Sequence, residues 1–373
     1  YLMKLFKVYY ILFFLLSFIS FINTGWSQNI PPNMEATGNQ AYCPLSQINI
    51  VTDFNIIDPD DTEIEALFIQ ISTGYVNGQD KLTLNNSHPN INTNWSSSEG
   101  KLTLKSTTSG LVSYDDMIAA VKDVVFESSS LSVNGEKLFS FTIGDANYLP
   151  STGHYYEYIA DIGITWTSAK TAADSRTYYG LQGYLATITS ADESQLAGEQ
   201  AKGAGWIGGS DQETEGVWKW VTGPENGTIF WNGEANGSAP AGVYSYWNTG
   251  EPNQAGDEDY AHITAPNVGI IGSWNDLSNT GAASGNYQPK GYIVEYGGTA
   301  GDPDLDLSAS TRIYVPLIES YNAGKNCGPG TVTLTATVSS GSVLWFESLS
   351  SDTPLFTGNS FITPLLSTTT EYY

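Results

Sequence analysis

Three short runs concentrate oxygen-bearing side chains in one stretch of the chain. Glu251-Pro252-Asn253 is followed by Asp257-Glu258-Asp259, and then by Trp274-Asn275-Asp276. Carboxylates and Asn carbonyls are the hard ligands that calcium selects, roughly six to eight at a time in a flexible loop. A proline between two such residues invites a cis peptide, which would turn Glu251 and Asn253 toward the same side. The same runs also read as a polar surface loop with a proline turn, and E-P-N by itself does not decide between the two.

Other chemistry finds little support. Gly203-Ala204-Gly205-Trp206-Ile207-Gly208 matches G-x-G-x-x-G but follows a helix pattern and opens none, so it does not read as a dinucleotide loop. No G-x-S-x-G, H-E-x-x-H or G-x-x-x-x-G-K-[ST] occurs. His88, His154 and His262 have no nucleophile motif beside them, which leaves structural roles as the default. Carboxylate pairs for glycoside hydrolysis cannot be judged by counting among 39 acids. The expectation is a non-enzyme.

Composition agrees with a binding role. Against 14 Lys+Arg, the 39 Asp+Glu leave a net charge of −25, which excludes nucleic acid or an anionic membrane as partners through bulk charge. The 40% hydrophobic fraction, with ten Trp and 23 Tyr, argues against disorder. Cys43 and Cys327 are the only cysteines, too few for a disulfide scaffold or a Cys-based zinc cluster.

The elements that must position these residues fall into segments; 373 residues suggest two or three domains at about 150 each. Lys4 and Lys7 before the apolar run Val8 to Ile22, then Gly25-Trp26-Ser27, predict a signal peptide over 1–27 and hence a secreted or cell-surface protein. Tyr1 ahead of Met3, and an end at Tyr373 within a strand pattern, are expected of a translated fragment. Alternating strands with Gly turns predict an all-β sandwich over 46–148, interrupted by one helix from Asp115 to Val125. Asp58-Pro59-Asp60-Asp61 and Asp145 resemble the acidic ends of cadherin-like repeats, which hold interdomain calcium; an ordinary solvated turn is the competing reading.

Segment 150–297 mixes helix and strand and holds seven of the ten Trp residues. Trp166 to Tyr178 has helical spacing, and Ser190-Ala191-Asp192-Glu193 is a capping box that opens a second helix to about Gln200. Residues 298–308 read as a linker. An all-β segment, 312–373, follows, with strict alternation over Thr331–Val338 and Trp345 as its natural core residue. It resembles a truncated immunoglobulin-like domain, with too few strands for a whole sandwich.

The middle segment resembles the C-type lectin domain. Trp206-Ile207-Gly208 with Asp211, then Glu215-Gly216-Val217-Trp218-Lys219-Trp220, matches that family's core signature. Trp231, E-P-N, Trp274-Asn275-Asp276 and Tyr292-Ile293-Val294-Glu295-Tyr296 follow in family order, and Tyr184-Leu185-Ala186-Thr187-Ile188 matches the strand before the second helix. The resemblance implies an α+β lectin fold. It implies one calcium held by Glu251, Asn253, Glu258, Asn275 and Asp276, which would also bind mannose-, glucose- or N-acetylglucosamine-type sugars. A second family site falls on Asp211, Glu215, Glu258 and Asp259, with Gln254 where an acid is expected. Tyr246, Trp247 and His262 lie near in sequence and offer faces for a sugar or for core packing. Tyr260 and Val294 stand where the family commonly has Cys. The mixture of modules resembles large bacterial surface or secreted adhesins, whose partners would be glycans, glycoconjugates or other surface proteins. A structural or protein-binding lectin-like module is the alternative.

Overall fold

The computed structural model describes residues 30–130, 133, 135–200, 204–339 and 341–373. The expected signal segment lies outside them.

The first unit is a β-sandwich. Its larger sheet orders the strands Asn39–Ala41, Ser308–Tyr314, Glu136–Thr142, Ala66–Thr73, Lys101–Ser106 and Ile91–Ser96. Facing it are Gln47–Asn49, Val124–Ser128 and Asp80–Leu84, and a separate pair, Asn33–Thr37 with Asp53–Ile57. Alternation sends Leu67, Ile69, Ile71, Phe139 and Phe141 into the core against Phe126, all fully buried. The helix is Tyr114–Lys122, three residues shorter at its end than the sequence suggests; Ser113 caps it by accepting from Asp116 N at 3.2 Å. Val124-Val125-Phe126 leave the helix because branched and aromatic side chains fill the pleated inner face of the neighbouring strand.

The larger sheet corrects the expected boundaries. Ser308–Tyr314 pairs antiparallel with Glu136–Thr142 along its whole length, from Thr142↔Ser308 to Glu136↔Tyr314, and parallel with Asn39–Ala41. The sandwich therefore does not close by 148. The chain leaves it at Thr142, builds a second unit, and returns at Ser308. Residues 308 and 312–314, expected in a linker and in the C-terminal module, belong to this first sheet, where Ile313 packs in the core.

The inserted unit has its two ends side by side: His154–Ala160 pairs with Gly291–Tyr296, which in turn pairs with Leu181–Leu185 and Gly205–Ser210. Its first helix, Trp166–Asp174, is capped by Thr165 and buries Trp166, Ala169 and Ala173. It stops at Ser175 rather than at Tyr178, and Thr177–Tyr178 instead pairs with Leu181–Leu185. Ser190 caps a single α-turn, Ala191–Glu193, which widens into the π-helical turn Ser194–Glu199. An aromatic core of Trp218, Trp220, Phe230 and Trp274 lies beneath the later loops, with Trp220 stacked on Phe230 at 4.3 Å. Tyr260 packs on Trp166 at 4.6 Å and Val294 is fully buried, so aromatic and aliphatic contacts stand at both positions where Cys is common.

The two units are tied by polar contacts. Gln195 donates to Tyr75 O (2.7 Å) and accepts from Gly74 N (3.0 Å). Lys101 Nζ reaches Asp145 Oδ1 (3.1 Å) and Asn147 Oδ1 (2.8 Å), and Tyr155 OH donates to Ser308 Oγ (3.0 Å). Beyond Tyr314, Ile318–Asn322, Thr333–Val338 and Ser360–Ile362 form a small sheet over Ala336, Val343, Trp345 and Phe361.

Candidate functional site

The strands Tyr260–Ile263 and Trp274–Leu277 form an antiparallel pair in which His262 faces Asn275 and Ala261 faces Asp276. Against their end lies the 248–259 loop, with a cis peptide between Glu251 and Pro252. Asp276, 1% exposed, accepts from Asn253 N at 3.1 Å through Oδ1 and from Gln254 N at 3.0 Å through Oδ2. The Asn253 side-chain amide donates to Glu251 Oε2. Glu258 Oε2 accepts from Ala255 N at 2.9 Å, closing the loop on itself. Sequence-nominated Glu251, Asn253, Glu258 and Asp276 thus share one loop and one strand.

Asn275 is oriented from behind. His262 Nδ1 donates to Ile263 O (2.7 Å), so in the neutral ring Nε2 is an acceptor, and it receives the Asn275 amide at 3.2 Å. Burial pushes the His262 pKa down to about 4, which keeps the ring neutral in this role. The same amide donates to Asp276 O (2.9 Å), which uses both of its protons. The buried Asn275 Oδ1 is left with no partner. His262 is 3% exposed and cannot offer a face to a ligand; Trp247 packs on Trp218 and Trp274, and Tyr246 on Tyr244. For His262 the structure gives core packing, while Tyr246 and Trp247 lean on the aromatic core and stay half-buried.

Gln254 stands where an acid is expected. Its backbone is left-handed (φ +48°), Oε1 accepts from Glu258 N at 2.9 Å, and its amide donates to Glu215 Oε2. It ties the loop to the Asp211–Glu215 segment. There, buried Asp211 accepts from Gly216 N (2.9 Å) through Oδ2 while its Oδ1 has no partner.

The electrostatics are one-sided. None of the ion pairs among the described residues involves Asp211, Glu215, Glu251, Glu258, Asp259 or Asp276. Burial, with Asp276 beside it, pushes Glu251 up to about 7, and burial with Glu215 and Asp259 nearby pushes Asp211 up to about 7. Glu215, Glu258 and Asp259 are raised by burial and neighbouring acids as well. Acids are thus crowded here without a cation, and Asn275 Oδ1 and Asp211 Oδ1 are buried acceptors without donors, but among the described residues these carboxylates do not bring three ligand atoms within 4.8 Å of one another.

The acidic turn of the sandwich differs. Asp58, Asp60 and Asp61 bring ligand atoms within 4.8 Å of one another. Asp58 Oδ1, however, accepts from the N–H of Asp60 (3.1 Å) and Asp61 (3.0 Å), and Oδ2 accepts from Tyr114 OH at 2.6 Å. Asp145 is not in this group and is held by Lys101.

A model of the Ig-like domain described as CHU_C associated matches residues 314–373. Halomucin of Haloquadratum walsbyi is 35% identical over 295 residues, 76% of this chain and 3% of halomucin. C-type lectin domain family 4 member M of Hylobates lar is 35% identical over 95 residues, 25% of this chain and 19% of that protein. CD209 antigen-like protein D of Mus musculus is 36% identical over 94 residues, 24% and 32% respectively. The chain therefore spans a small part of each of these relatives. Fold and comparisons together define a mostly β, multidomain protein with a C-type lectin-like domain and a C-terminal Ig-like domain. More particularly, it is similar to halomucin over three quarters of its length.

Proposed function

We propose that the lectin-like domain binds carbohydrate through calcium, within a secreted or surface adhesin. The carrying observation is the set of crowded acids without a cation, joined to the orphaned Asn275 Oδ1 and Asp211 Oδ1. Glu251, Asn253, Glu258, Asn275 and Asp276 would hold the ion. Calcium supplies a hard centre that two adjacent sugar hydroxyls can also coordinate. The carboxylates of Glu251 and Glu258 accept from those hydroxyls, and the Asn253 amide donates to them. Glu-Pro-Asn, by resemblance, favours mannose-, glucose- and N-acetylglucosamine-type sugars. Asp211, Glu215, Glu258 and Asp259 would form the second site, where Gln254 gives a neutral oxygen in place of an acid. Such single sites bind weakly, so adhesion would need several copies in an array.

Glycan-array binding in calcium, repeated with chelator, tests this. Binding should be lost on chelation. The double substitution Glu251→Gln, Asn253→Asp keeps net charge but reverses donors and acceptors, and should move preference toward galactose-type sugars. Sugar binding that survives chelation, or no sugar bound at all, would favour a protein-binding module.

A further inference from the structure

Asn248 belongs to none of the residue sets above, yet it hydrogen-bonds to Glu251, to Trp274 and to the turn between the two site strands. Its N–H donates to Trp274 O (2.8 Å) and its carbonyl accepts from Glu251 N (3.1 Å). Its side-chain Oδ1 accepts from Ile270 N at 3.1 Å. The first two bonds are main chain and survive substitution; the third depends on the carboxamide.

Ile270 is the hub of the hairpin turn 264–273. Its carbonyl accepts from Thr264 Oγ1 (3.2 Å), Ser273 N (3.2 Å) and Ser273 Oγ (2.6 Å). Thr264 N donates to Ser273 O at 2.9 Å. From Ser273 the chain runs directly into Trp274-Asn275-Asp276. Gly269 makes the close approach possible: its φ is +60°, and a Cβ there would lie 2.1 Å from Asn248 Oδ1.

We propose that Asn248 is a positioning residue of the binding site, whose carboxamide oxygen holds the 264–273 hairpin, and with it Asn275 and Asp276, in register with Glu251. This rests on the calcium reading above. Asn248 itself contacts no ligand. Without the Oδ1 acceptor the Ile270 N–H loses its partner, and the hairpin can shift relative to the loop that carries Glu251. An ion that needs oxygens from both sides then meets them at unequal distances, and affinity falls.

The test uses the full chain, calcium alone as probe, and two readouts: calorimetric affinity, and amide exchange over 264–273 in chelator. Asn248→Ala should speed exchange at Ile270 and weaken calcium about tenfold, the scale of an outer-shell loss, while the melting temperature in chelator stays near wild type. Asn248→Asp keeps an acceptor and should restore slow exchange and most of the affinity. Gly269→Ala, which crowds the same oxygen, should reproduce the Asn248→Ala pattern. Wild-type exchange and affinity in Asn248→Ala would overturn the proposal, as would equal impairment in the Ala and Asp variants. A wild-type protein that binds no calcium would overturn the underlying reading instead, and the exchange data would still decide whether Asn248 holds the hairpin.

Discussion

In the sandwich, several aspartates meet cations or donors supplied by their own fold, although the buried Asp80 Oδ1 has no hydrogen-bond partner. Asp80 meets Lys137 at 2.6 Å with both side chains almost fully buried, and Asp53 meets Lys122 at 2.7 Å. Asp58 shows the effect on a titrating group: burial works to raise it, but Tyr114 OH and two backbone N–H groups hold it below the usual carboxylate range. In the lectin-like unit Asp276 takes two backbone donors but Asp211 Oδ1 takes none, and Asp211 and Glu251 rise to about 7. An acidic cluster in sequence is therefore not informative until its donors are counted. In the DPDD turn Asp58 takes three donors from its own fold, whereas Asn275 Oδ1 and Asp211 Oδ1 in the lectin-like unit take none.

Breaking a sandwich pair should have the largest effect on stability. Asp80→Ala leaves the Lys137 ammonium buried, with Gly74 O as its remaining partner. It should cost about 3–5 kcal/mol in denaturant unfolding, whether or not calcium is present. A loss below about 1 kcal/mol would show that this pair is not what holds the two sheets there.

The second expectation concerns pH in chelator. The raised carboxyls of Glu251 and Asp211 keep protons in the folded state that the unfolded chain has lost. Stability should therefore fall as pH rises from about 4 through about 7, the window between the ordinary and raised values. Glu251→Gln removes one such group and should flatten the slope, read by thermal melts at several pH values. His154, raised above its ordinary value by its bond to Glu295 although burial opposes this, adds a loss in the same direction that Glu251→Gln leaves in place. An unchanged slope in the variant would place the charge imbalance elsewhere.

The smallest effect should come from the acidic turn. Asp60→Asn with Asp61→Asn leaves the backbone N–H bonds to Asp58 intact. It should change stability by no more than about 0.5 kcal/mol and leave calcium affinity untouched. A large loss of calcium binding would restore the cadherin-like reading of that turn.

How far the sequence could carry these conclusions differs between the two regions. Glu251, Asn253, Glu258, Asn275 and Asp276 were nominated by local runs, and the chain keeps them on one loop and one neighbouring strand. The roles of His262, Gln254 and Asn248 left no such trace, because each depends on which side chain lies across the site rather than along the chain. The sandwich hid its own limits for the same reason. Ser308–Tyr314 pairs with a strand more than 160 residues earlier, and its Ser-Ala-Ser-Thr start carries too little hydrophobic alternation to announce a strand. The helix end at Lys122 was missed because the apolar pattern runs on into Val124-Val125, and the end at Asp174 because Thr177 keeps the helical spacing.

The most direct test of the central claim is a calcium titration of the intact protein after chelator treatment, followed by melting temperature and calorimetry at neutral pH. The unpartnered Asn275 Oδ1 and Asp211 Oδ1, with the raised carboxyls of Glu251 and Asp211, predict binding in the ~0.1–1 mM range, a rise in melting temperature with calcium, and release of protons from those carboxyls. No shift and no heat at about 10 mM calcium, well above that range, would contradict it.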